Sequence, residues 1–156
     1  MKPEDKDVFY ALSDDQATIL TVWGEARNQS ILGKQLVAQV IDNRATKHRL
    51  TPKQVCYQPN QFSCLISTDP NYPKMREIAG DWEKALQSNS SLQECAHTVR
   101  GLDDFTTRQV VMVKLMRATF YRVVGTANEW FDNAIKAGKL KKVCVEGSHE
   151  FFREVV

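Results

Sequence analysis

The sequence predicts a mainly α (α+β) domain: a helical body with a small β element late in the chain. Three observations lead there. Apolar residues recur at helical spacing behind capping residues at Ser13, Ser30 and Thr51. Proline- and amide-rich chain occupies Tyr57 to Pro73. β-branched and aromatic residues gather after residue 105 and end in two short runs around Gly147-Ser148. A chain of 156 residues fits one domain. We read 1–156 as that domain, with 1–12 as an N-terminal extension.

The elements follow in order. Ser13 with Gln16 forms a capping box, and Asp14 and Asp15 suit the positive start of a helix over 13–28. Ile19, Val22, Trp23 and Ala26 make its apolar stripe. Ser30 caps a second helix from about 31 to 47, which buries Leu36, Val37, Val40 and Ile41. Thr51-Pro52-Lys53-Gln54 is a capping box with proline at the first helical position. Tyr57–Pro73 reads as loop. Helical spacing returns over 74–87, and Ser91 is a candidate cap for a helix to Arg100, closed by Gly101. The stretch 105–124 is divided evenly between strand and helix. Asn128–Ala137 reads as a short helix, Lys141–Val145 as a strand, Gly147-Ser148 as a turn and Phe151-Phe152 as a last strand.

Composition excludes some functions. With 42% hydrophobic and 26% charged residues, the chain is ordinary globular protein rather than disordered. A net charge of +2 is too small for a dedicated nucleic-acid binder, which needs clustered positive charge. No apolar run approaches the ~20 residues of a membrane span, so no membrane insertion is expected. Met1–Asp7 is polar and lacks the apolar stretch of a secretory signal. Cys56, Cys64, Cys95 and Cys144 show no zinc spacing. They are free thiols of a reduced compartment or one or two disulfides formed after export. His48, His97 and His149 lack metal spacing, so no metal or cofactor is expected.

Glu25 is the first candidate for chemistry. In Trp23-Gly24-Glu25-Ala26-Arg27 it falls beside Val22, on the rim of the apolar stripe. Partial shielding from water favours the protonated form of a carboxyl, which a general acid needs. Gly24 beside it would let a ligand approach closely. The plainer alternative is a surface Glu paired with Arg27 or a neighbour. The loop Tyr57–Cys64 offers amides for sugar hydroxyls and Phe62 to pack under a ring; otherwise it is an ordinary connection. His149 sits among aromatic residues, as a base or as a hydrogen-bonded structural residue.

Taken together, these segments resemble the cell-wall hydrolase family of spore-cortex-lytic enzymes and some phage endolysins. The resemblance lies in Gly24-Glu25-Ala26-Arg27, Asn43-Arg44, Gln61-Phe62-Ser63, Ala118-Thr119-Phe120-Tyr121, Trp130 and Gly147-Ser148-His149-Glu150-Phe151-Phe152. It covers the chain from Trp23 onward and rests on the order and spacing of these motifs. Two departures stand out: Thr106–Arg117 is longer and more apolar than the family's pattern, and Glu129 replaces the usual Pro before Trp130.

The resemblance implies a lysozyme-like fold and cleavage of peptidoglycan glycan strands by a monomer. Glu25 would be the catalytic acid. Gln61, Phe62, Ser63, Thr119, Tyr121 and His149 would contact substrate, while Asn43 and Arg44 would brace the helices. One carboxylate suffices for a lytic transglycosylase. A hydrolytic muramidase would add Asp69 or Asp42, and a module that only binds wall or inhibits a partner is the third reading. The expected setting is an endolysin held in the host cytoplasm, then released to the periplasm and wall.

Overall fold

From Ala17 to Ala26, all but one side chain of the first long helix is apolar or small, and that composition sets the architecture. The computed structural model describes residues 1–101 and 118–155. A 3-10 turn (Pro3–Asp5) and α1 (Lys6–Tyr10) lead into α2 (Asp14–Ala26), which buries Ala17 through Trp23 and Ala26. A helix buried on all sides must be surrounded. Around it stand α3 (Ile31–His48), α4 (Pro52–Cys56), a 3-10 turn (Ser63–Leu65), α5 (Tyr72–Gly80) and α7 (Ser90–Arg100); α6 (Trp82–Ser88) links the last two.

The predicted caps form. Ser13 and Gln16 exchange hydrogen bonds, as do Thr51 and Gln54, and the Ser30 hydroxyl accepts from the Gly33 amide. Two expectations need correction. The single helix over 74–87 is two, because Asp81 leaves helical geometry and its carboxylate caps α6. Asn89 rather than Ser91 caps α7; the Ser91 hydroxyl instead accepts the Trp23 indole N–H at 2.8 Å. The N-terminal extension is helical and plugs the core with Phe9, which is fully buried.

Late in the chain come β1 (Phe120–Val123), α8 (Glu129–Lys136), β2 (Leu140–Glu146) and β3 (His149–Glu154). The strands form an antiparallel sheet in the order β1-β3-β2. Of the undecided stretch 105–124, Phe120–Val123 is strand, and 105–117 lies outside the described residues. Side chains alternate along a strand. The pairing of Tyr121 with Phe151 and of Val123 with His149 therefore puts Tyr121, Val123, His149 and Phe151 on one face. Phe151 joins the main core on that face, whereas Phe152 packs on the other with Phe131 and Leu140.

Candidate active site

The site forms where α2 ends, because the sheet and the Ser63–Leu65 turn both reach that point. Glu25 is half-buried in the last turn of α2. Its Oε1 accepts the Cys64 backbone N–H at 3.0 Å and the Ser63 hydroxyl at 3.1 Å. Its Oε2 takes the Tyr121 hydroxyl at 3.1 Å. Arg27 is not its partner. That guanidinium lies over the Trp23 ring and donates to Asn71 Oδ1 at 2.7 Å.

Gly24 is needed for a different reason than the sequence suggests. A Cβ there would lie 2.7 Å from Cys64 Cβ, Cys64 Sγ and Met75 Sδ. The missing side chain thus admits the Ser63–Leu65 turn, not a ligand, and so lets the Cys64 amide reach Glu25.

The groups around the carboxylate are held neutral. Burial and the nearby Glu25 charge push both the Tyr121 phenol and the Cys64 thiol well above their ordinary values. Cys64 is therefore a thiol, not a thiolate nucleophile. Burial lowers His149 below the usual imidazole value, and the Glu25 charge only partly opposes this, so the ring is neutral at pH 7. His149 stands edge-on to Tyr121, with ring centroids 5.3 Å apart.

The remaining predicted residues separate into two groups. Gln61 is exposed, and its carbonyl accepts Arg44 Nη1 at 3.1 Å. Ser63 is exposed but turned to Glu25. Phe62, Thr119 and His149 are buried at 2%, 6% and 3% exposure. Phe62 therefore does not offer its ring to a sugar. It packs between the Arg44 guanidinium and Tyr121, where burial gains more than exposure. Thr119 Oγ1 and His149 Nδ1 are buried without a hydrogen-bond partner among the described residues.

Two parts of the site go beyond the sequence reading, which gave Asn43 and Arg44 only as a brace for the helices. The Cys64 amide is backbone, which no motif search registers. Arg44 is a clamp: it donates to the Thr119 carbonyl and to Gln61 while lying against Phe62 and Phe120. With Asn43 Nδ2 donating to the Ala118 carbonyl at 2.8 Å, it hangs the start of β1 on α3. The Asn43-Arg44 pair was its only signal.

A mainly helical domain thus sets the Glu25 carboxyl group among neutral donors where its helices meet a small sheet. A family model described as cell wall hydrolase matches residues 28–152, and the chain belongs to that family, with peptidoglycan as the substrate. The match begins at Asn28, so the assignment of Glu25 rests on the geometry above. Among solved structures, the catalytic domain of the Bacillus cereus SleB protein is similar, with a TM-score of 0.57 and 20% identity over 90% of this chain and 89% of that one. At that identity the likeness is one of fold, and it agrees with the mainly α domain expected. No curated protein matches the sequence significantly.

Proposed function

We propose that this protein is a lytic transglycosylase that cuts the β-1,4 bond between N-acetylmuramic acid and N-acetylglucosamine, with Glu25 as its acid and base. The observation that carries the reading is the unequal bonding of the two carboxylate oxygens. A backbone N–H can only donate, so the Cys64 amide fixes Oε1 as an acceptor. Oε2 faces the Tyr121 hydroxyl, which can either donate or accept. The catalytic proton therefore belongs on Oε2.

Protonated Glu25 gives that proton to the glycosidic oxygen as the C1–O bond breaks. The carboxylate then takes the proton of the muramyl C6 hydroxyl while O6 bonds to C1. The product is a 1,6-anhydro end, no water is consumed, and Glu25 finishes protonated. Tyr121, kept neutral by its surroundings, follows the charge on Oε2 by donating to the carboxylate and accepting from the acid. The Thr119 hydroxyl, without a partner among the described residues, and Gln61 are candidates to orient the sugar. Of the acids a hydrolytic muramidase would use, Asp42 is exposed beside Gln39, and Asp69 accepts the Asn71 amide. Among the described residues neither touches Glu25.

Glu25→Gln tests the reading, because glutamine keeps an acceptor for Cys64 and Ser63. The variant should fold normally and lose clearance of purified sacculi. Mass spectrometry of wild-type digests should show anhydro ends resistant to borohydride; reducible ends would make the enzyme a hydrolase. Retained clearance by Glu25→Gln would overturn the role of Glu25. Action as a phage endolysin belongs to the same proposal, and the same pair tests it: co-expressed with a membrane-permeabilising protein, only wild type should lyse the host.

A further inference from the structure

The loop that holds Glu25 has a second side. Its residues Gln58, Asn60 and Phe62 line a cavity of about 470 Å³, within the range of small-ligand sites, and the facing wall comes from the N-terminal segment with Lys6 and Tyr10. Tyr10 and Tyr57 form an aromatic corner there, with ring centroids 5.2 Å apart and planes tilted by 48°. Tyr57 is fixed by its hydroxyl, which donates to the Phe9 carbonyl at 3.0 Å. Tyr10 is anchored through its carbonyl by Lys53 Nζ, yet its side is open, at 52% exposure.

The chemistry of this corner is that of a sugar site. An aromatic face suits the C–H face of a pyranose, side-chain amides suit hydroxyl and N-acetyl groups, and among the described residues no carboxylate lines the cavity. A single lysine is a thin complement for an acidic stem peptide. The cavity adjoins the Glu25 site, since buried Phe62 lies between the two, bordering the cavity and packing on Tyr121. Three Cα steps of about 3.8 Å keep Asn60 within about 11 Å of Ser63, a short distance for a polymer. The wall bearing Tyr10 precedes the residues matched by the family model, 28–152.

We propose that this cavity is an accessory subsite for the N-acetylhexosamine strand, gripping sugars beyond the bond that is cut. The proposal rests on the glycan-cleaving reading above and adds a second point of attachment to it. Calorimetry on the Glu25→Gln protein, which should bind without cleaving, is the test, with chitotetraose as the probe. Tyr10→Ala in that background should weaken binding about tenfold, as loss of one aromatic contact implies. Tyr10→Trp, which keeps a platform, should restore it.

Unchanged affinity in Tyr10→Ala, or no binding of chitotetraose, would overturn the subsite. So would a stem tetrapeptide that shifts the Gln58 and Asn60 amide resonances where chitotetraose does not. Cleavage by Glu25→Gln alone is scored separately on sacculi. Its survival would remove the catalytic reading without altering the Tyr10 comparison.

Discussion

The two oxygens of Glu25 are bonded differently, and the difference comes from which donors can reverse. The Cys64 amide cannot, so it anchors the side chain whatever its protonation state. The Tyr121 hydroxyl can, so on the proposed mechanism it attends the oxygen whose proton would move. Removing that hydroxyl leaves the fold intact, because the ring still packs on Phe62, Phe151 and His149. A hydrogen bond to a charged group contributes about 1.5–3 kcal/mol. Tyr121→Phe should therefore slow turnover about ten- to a hundredfold, seen in kcat on soluble glycan fragments, with little change in thermal stability. Equal kcat would make Tyr121 a packing residue only.

At the scale of elements, the site depends on two ties that hold the sheet against the helices. Asn43 and Arg44 of α3 hold the carbonyls just before β1. Gln29, just after α2, accepts the Ser148 amide at the β2–β3 turn, where Gly147 has the positive φ of 56° that glycine adopts without strain. Burial pulls the Arg44 pKa down, yet the guanidinium keeps its charge, helped by the nearby Glu25 carboxylate. Lysine cannot reproduce its forked bonds to Thr119 and Gln61. Arg44→Lys should cost about 2 kcal/mol, read as a lower urea midpoint with unchanged slope. It should also lower activity, since β1 carries Tyr121. Full activity with lowered stability would separate the clamp from catalysis.

For the whole molecule, acid is the informative stress. Asp5 is buried and receives the Tyr72 hydroxyl and the Arg76 guanidinium, which tie the N-terminal turn to α5. Glu150 is buried in the sheet and pairs with Arg122 and Lys142. Burial alone would raise both carboxyls, but their partners outweigh it and hold both below the usual range. A carboxyl lowered on folding stabilises above its unfolded value, about 4, and loses that contribution as pH falls through its folded value. The melting temperature should therefore hold above about pH 4 and drop below it. Asp5→Asn and Glu150→Gln should each lower it at neutral pH and flatten the acid limb. An acid limb as steep as wild type in both variants would assign acid unfolding to other groups.

The sequence by itself determined what is local. Capping boxes, apolar stripes and turn glycines act within about four residues, so α2, α3, α4 and the late hairpin were legible, and so was the place of Glu25 on the rim of the first long helix. The two helical corrections were near misses of the same kind, since Asp81 and Asn89 are capping residues passed over beside the apolar pattern. Only the tertiary structure decided what Glu25 meets. Its bond to Tyr121 spans 96 residues, and the Arg44 clamp on Thr119 spans 75. It likewise turned Phe62 inward, gave Gly24 to a packed turn and set Tyr10 across from Tyr57. Periodicity records which face of an element is apolar, whereas the partner brought to that face is fixed by how the whole core closes.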